Sequence, residues 1–144
     1  MISHLTRGVR FSASHRYYRP EWSQEENRRR FGDASLLEDH MHDYRCEVTV
    51  RGPIDAETGM VMDLAELDAI LQEEVIERFN DHNINREVEA FGPGGAIPTT
   101  ENLAAYLHTR VSERLPGGIE LHRVRVYEDP DLWSDAYGPG GAAG

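Results

Sequence analysis

Residues 42–51 constrain this chain more than any other stretch. Tyr44, Cys46, Val48 and Val50 alternate with Arg45, Glu47, Thr49 and Arg51. Successive side chains of a strand point to opposite faces, so this is a strand with one apolar and one polar face. Such a strand belongs in an antiparallel sheet covered on one side. Residues 5–15 repeat the pattern, with Leu5, Val9, Phe11, Ala13 and His15 on one parity. A third strand is expected at about 119–128, with Val124, Val126 and Glu128 sharing a face, and a short fourth at about 132–137.

The apolar face needs helices over it. Asp63, with Glu66 three residues on, opens a helix in capping-box style. Leu64, Leu67, Leu71, Val75 and Phe79 carry it to about residue 79. A second helix starts at Thr99 or Thr100, after Pro98. It carries Leu103, Leu107, Val111 and Leu115 and stops at Pro116-Gly117-Gly118. Asp55 to Gly59 reads as a turn, residues 16–41 as a long loop, and 80–98 as irregular. The resulting order, β-β-α-α-β-β, is an α+β fold: a small antiparallel sheet with two helices on one face. A chain of 144 residues fits one domain, 1–137, followed by a flexible Gly-rich tail, 138–144.

Composition narrows the function classes. With 15 basic and 26 acidic residues the formal charge is −11, which repels nucleic acid. No apolar run approaches the ~20 residues of a membrane span. Met1 to Arg7 holds no apolar signal core. The one cysteine, Cys46, excludes an internal disulfide and suits a reducing cytoplasm. An anionic small ligand would need a local basic patch. Arg28-Arg29-Arg30, with Arg16 and Arg19, is the candidate, and a solvated arginine run is the plainer alternative.

Chemistry concentrates on histidine. His15 ends the first strand, and His40 and His42 open the second. Antiparallel pairing brings those two ends together, and parity turns all three imidazoles to the inward face. Three neutral imidazoles with a fourth position open suit a catalytic Zn²⁺. His40-x-His42-x4-Glu47 also resembles a cupin metal motif, but Glu47 has the opposite parity and two helices do not suit a cupin barrel. Glu128 sets a carboxylate among apolar neighbours, where it needs a partner. A ligand with adjacent N–H donors, such as a pterin or guanine ring, would supply one, as would a helix N-terminus or an arginine. Asp81-His82, in an Asn-rich loop, reads either as an acid/base pair or as a polar surface turn.

Several stretches together resemble a known family. They are Phe11-Ser12-Ala13-Ser14-His15-Arg16, Glu25-Glu26-Asn27, Phe31-Gly32, His40-x-His42-Asp43-Tyr44, Ile54-Asp55-x3-Gly59-Met60-Val61-Met62-Asp63-Leu64, Asp81-His82-Asn83, Thr99-Thr100-Glu101-Asn102 and Val126-Tyr127-Glu128. Spanning about residues 8–130, they are similar to the 6-pyruvoyl-tetrahydropterin synthases, relatives of the bacterial 6-carboxytetrahydropterin synthases. The resemblance implies a tunnelling fold whose subunits join edge to edge as trimers or hexamers, with sites at subunit interfaces. It implies zinc on His15, His40 and His42, and a reduced pterin held by Glu128 beside Thr99, Thr100 and Glu101. It implies a proton relay through Asp81 and His82, and triphosphate elimination from 7,8-dihydroneopterin triphosphate.

One part of the family pattern is missing. The family's general base is a cysteine shortly before the H-x-H. Aligned through Phe31-Gly32 that position is Ala34; aligned from the histidines with the shorter bacterial spacing it is Leu36. Cys46 lies beyond the histidines and reads as core. Three readings follow. Another group, Glu38 or His82, takes the base role; a family subgroup carries a Glu three residues before the H-x-H, one more than Glu38, and cleaves the side chain as an aldolase does. Alternatively the scaffold performs a different reaction on a pterin-like or other small molecule. The third reading is a pterin-binding protein without catalysis.

Overall fold

The computed structural model describes residues 1–36 and 40–140. Strand β1, Ile2–His15, pairs antiparallel with β2, His40–Pro53, along its whole length, from Ile2↔Pro53 to His15↔His40. Strand β4, Glu120–Asp129, pairs antiparallel with β2, and β5, Leu132–Ala136, with β4. Both expected long strands are present and reach further out than the apolar alternation does.

The sheet has one more strand than the pattern suggested. Strand β3, His82–Asn83, lies parallel to β1 at Ala13 and Ser14, so the order is β3-β1-β2-β4-β5 and the sheet is mixed. Two residues are too few to show a period. What holds them is the approach: Asn80 Oδ1 accepts from Ser12 N at 2.9 Å, and Asp81 N donates to Ser12 O at 2.7 Å. Asp81 takes a left-handed conformation, φ 61°, to make that turn.

The 16–41 connection is not simply a loop. It carries helix α1, Gln24–Phe31, capped by Ser23 Oγ, which accepts from Glu26 N. The helix has no apolar stripe; its one buried residue is Asn27. The Asn27 amide accepts from Arg19 N at 2.7 Å and donates to the carbonyls of Arg19, Trp22 and Ser23. A hydrophobic pattern search cannot see an element organised by one buried amide. The arginine run lies on this helix's surface. Arg29 and Arg30 pair with Glu26, Arg30 also covers Trp22, and Arg19 pairs with Glu21.

The helices over the apolar face are α2, Leu64–Leu71, and α5, Thr100–Ser112. Asp63 caps α2 by accepting from Ala65 N, and Thr99 caps α5 by accepting from Asn102 N. Helix α2 runs on through a π turn, Gln72–Ile76, into the short α3, Glu77–Phe79. Leu67, Leu71, Val75 and Phe79 are fully buried, whereas Leu64, expected in the same stripe, is 40% exposed. The short helix α4, Ile84–Glu87, follows β3. Phe11 stacks on Tyr44 at 4.9 Å and leans on Phe79 at 5.5 Å, which ties sheet to helices. No helix among the described residues is long and apolar enough to cross a membrane. Gly138, at the head of the expected tail, rests on His108 of α5: a Cβ there would come within 3.1 Å of the ring.

The π turn buries a carboxylate. Glu74 is 5% exposed and meets Arg78, Arg110 and Arg114 at 3.0–3.3 Å, tying α2's continuation to α5. Burial alone would raise its pKa, but the three guanidinium groups hold it below the usual carboxylate value. A lowered folded pKa gives stability that is complete above the unfolded value and is lost as pH falls through the folded one. We therefore expect Glu74→Gln to destabilise by about 2–3 kcal/mol at neutral pH, less than a fully buried pair because the arginines are part-exposed. Below the ordinary carboxylate value of 4.5 the variant should lose stability with falling pH less steeply than the parent. Urea unfolding across that range measures both effects.

Candidate metal centre

The β1–β2 register builds the centre. His15 stands opposite His40, and Ala13 opposite His42, so the three imidazoles rise from adjacent strands on one face. One nitrogen of each lies within 4.8 Å of the others. The rings crowd together, with centroids 5.5 Å apart for His15–His40, 5.0 Å for His15–His42 and 4.2 Å for His40–His42. The three expected ligands are thus brought together.

The hydrogen bonds orient the donors. His15 Nδ1 lies 3.0 Å from the Pro98 carbonyl, which can only accept, so that nitrogen carries the ring proton. The Tyr44 hydroxyl is 2.9 Å from the same nitrogen. Nε2 of His15 is left facing the centre, where a ligating imidazole needs it. His40 Nδ1 and His42 Nε2 are buried with no hydrogen-bond partner among the described residues. Burial above all, with the crowding of the His15 and His40 imidazoles, outweighs Glu128 and lowers the His42 pKa, which favours its neutral ring. Buried nitrogens without partners are costly alone and well matched to a divalent cation.

Glu128 completes the wall. Strand β4 sets it beside β2, 8% exposed, with Oε1 3.1 Å from His15 Nε2 and 2.7 Å from His42 Nε2. Its contact with His15 foremost, and the proximity of the other two imidazoles, holds its carboxyl below the usual range against the cost of burial. Thr100 is 3% exposed, and its Oγ1 lies 2.9 Å from Glu101 Oε1 and 2.6 Å from Ser134 Oγ. Glu101's own amide and the Thr100 hydroxyl lower its pKa. Thr99 caps α5, its hydroxyl accepting from Asn102 N.

Asp81 and His82 are not joined to this group. His82 Nδ1 donates to the Arg78 carbonyl at 2.8 Å, and Asp81 is exposed at the β3 edge. Glu47 lies on the opposite face, 3.1 Å from Arg45 Nε, away from the histidines.

Four contributors were not assigned to the site by the sequence reading. Tyr17 continues the inward parity of β1, edge-on to His15 at 5.1 Å. Burial, then Glu128 and Glu101, raise the pKa of its phenol. Tyr44 repeats the relation two residues beyond His42, so parity could have flagged both tyrosines. Ser134 and the Pro98 carbonyl come from distant segments, and no local pattern announces them.

The profile of the family described as 6-pyruvoyl tetrahydropterin synthase matches residues 4–139. The chain belongs to that family. It is 40% identical to the human 6-pyruvoyl tetrahydrobiopterin synthase over 124 residues, 86% of this chain and 83% of the relative. It is 37% identical to the Drosophila melanogaster protein of the same name over 129 residues, 90% of this chain and 76% of the relative. The solved structure of the Caenorhabditis elegans 6-pyruvoyl tetrahydropterin synthase superposes with a TM-score of 0.89 at 29% identity, covering 96% of this chain and 97% of that one. The fold is therefore the tunnelling fold.

At the two positions expected to match the family's cysteine, this chain has Ala34 and Leu36. Ala34 lies in the 3₁₀ turn Gly32–Ser35, half-buried, and its carbonyl accepts from Tyr17 N at 3.1 Å. The turn thus adjoins the centre through Tyr17, and at Ala34 it offers a methyl group and no thiol. Leu36 is 40% exposed. Glu38 lies outside the described residues. Cys46 is fully buried in β2, and burial pushes its thiol up to about 12, far from any base role near neutrality.

Purified protein is expected to hold about one zinc per chain by elemental analysis. His40→Ala and His42→Ala should each abolish stoichiometric retention, and Cys46→Ala should not. Equal retention in all four proteins would overturn the assignment.

Proposed function

We propose that this protein is a zinc-dependent lyase acting on 7,8-dihydroneopterin triphosphate or a closely related reduced pterin. One observation carries the reading: three inward imidazoles converge within 4.8 Å, with a buried carboxylate beside them, in a chain of this family. In this reading His15, His40 and His42 hold the ion. Bound zinc supplies a Lewis acid that polarises side-chain oxygens of a dihydropterin and acidifies the adjacent C–H. Glu128 accepts the N–H edge of the ring, and Thr99, Thr100 and Glu101 line the approach.

The proton acceptor is the open element. Ala34 has none, and this favours a second reading, aldolase-like cleavage of a dihydropterin side chain with Glu38 or His82 as base. A pterin-binding protein without turnover is the third. Exposed Asp81 and half-buried His82, at the β3 edge, suit a site shared between subunits, so we propose a homo-oligomer, trimer or hexamer, that closes the sheet's edges. Cytoplasmic residence fits the single buried thiol.

Incubating zinc-loaded protein with 7,8-dihydroneopterin triphosphate and with dihydroneopterin, then weighing the products by mass spectrometry, separates the readings. Released triphosphate supports the lyase, and two-carbon aldehyde fragments support the aldolase. Binding without product leaves the third reading. Ala34→Cys is expected to raise triphosphate release at least tenfold if the thiol alone is missing. Light scattering should give a mass near three or six chains.

A further inference from the structure

Three oxygens meet where β5 passes the first turn of α5. Thr100 Oγ1 lies 2.6 Å from Ser134 Oγ and 2.9 Å from Glu101 Oε1, and Ser134 Oγ lies 3.3 Å from the same carboxylate oxygen. Two hydroxyl groups bring two protons to these three contacts. The Glu101 carboxyl is held below the usual range, first by its own amide at the helix start, so near neutrality it is ionised and only accepts. Thr100 is 3% exposed, and a hydroxyl so buried is costly to leave unbonded. The two shorter contacts take the protons: Ser134 donates to Thr100, and Thr100 donates to Glu101. The chain of hydrogen bonds therefore runs one way, from the sheet to the helix. It joins the two elements that carry the carboxylates of the site. Ser134 stands opposite Val126 in the β4–β5 ladder, and Val126 is two residues from Glu128 on β4. Glu101 is the second residue of α5. The charge of Glu128 works against the lowering of the Glu101 pKa, so the two carboxylates lie within electrostatic reach of each other. Glu128 is held by its contacts with His15 and His42; Glu101 is held by Thr100, and Thr100 by Ser134.

We propose that Ser134 is a positioning residue for ligand binding: acting through Thr100, it fixes the reach of Glu101 relative to Glu128, and so the spacing of the two acceptors that meet the N–H groups of a flat ring. The inference rests on the proposed placing of Thr100, Glu101 and Glu128 about a reduced pterin, and adds a residue of β5 that itself touches no ligand. An alanine at 134 leaves one lone pair of the buried Thr100 hydroxyl without its donor and frees the hydroxyl to turn. A threonine there keeps the donor and suits a strand. Because Ser134 acts through the carboxylate, its contribution disappears when the carboxylate is gone. A side chain that merely packs β5 against α5 contributes equally with or without Glu101, and that difference separates positioning from packing.

The test titrates the full chain with unsubstituted pterin, a fluorescent probe that has the N–H groups and no side chain to react. Circular dichroism confirms that each variant is folded. Ser134→Ala should weaken pterin binding about three- to tenfold, the worth of one hydrogen bond, and Ser134→Thr should stay within about twofold of the parent. In a Glu101→Gln background, adding Ser134→Ala should cost less than about twofold more. An equal loss in both backgrounds would make Ser134 a packing residue, and unchanged binding in Ser134→Ala would leave it no part in recognition. Either result overturns the proposal and leaves the pterin reading standing. If the parent binds no pterin, that reading falls and takes the proposal with it.

Discussion

The register between β1 and β2 is the constraint on which the rest depends. Strand pairing has a period of two, so a slip of one residue would send His15 and the two β2 histidines to opposite faces. The register is fixed far from the centre. Tyr44, Cys46, Val48 and Val50 must all face the helices, and Phe11 must stack on Tyr44. The apolar core therefore aligns the ligands, and the last pair of the ladder, His15↔His40, inherits an alignment set by some ten residues below it.

Electrostatics at the centre follow from that geometry. Three imidazoles and a carboxylate sit where water is mostly excluded, so unpaired nitrogens and an unsolvated charge coexist. Each alone would be a cost. Together they form a donor set suited to a cation. The His15 ring is fixed from behind by a backbone carbonyl rather than by an acid, which holds its orientation without adding negative charge.

Much of this was legible in the sequence because it is periodic or local. Both long strands, both helix starts and the inward parity of His15, His40, His42 and Glu128 follow from alternation and capping. The parts that escaped obey other rules. Helix α1 is organised by the Asn27 amide, β3 is held by Asn80 and a left-handed Asp81, and the Pro98 carbonyl has no side-chain signature. The placement of Asp81 and His82 was the least legible. Their motif is recognisable, but the motif does not reveal that they stand at the sheet's edge, apart from the triad.

The π turn carries a consequence for that edge. Leu67, Leu71, Val75 and Phe79 are spaced by four, and a plain α-helix over those twelve residues would turn roughly 120° beyond a whole number of turns. Phe79 would swing off the sheet. The wider π turn winds more slowly and takes back part of the excess, so Phe79 still meets Phe11. Asn80 then reaches Ser12, and Asp81 and His82 are delivered to the outer flank of β1. The winding of a distant helix thus acts as a phase adjuster, and a single residue gained or lost there would rotate the two side chains held at the sheet's edge.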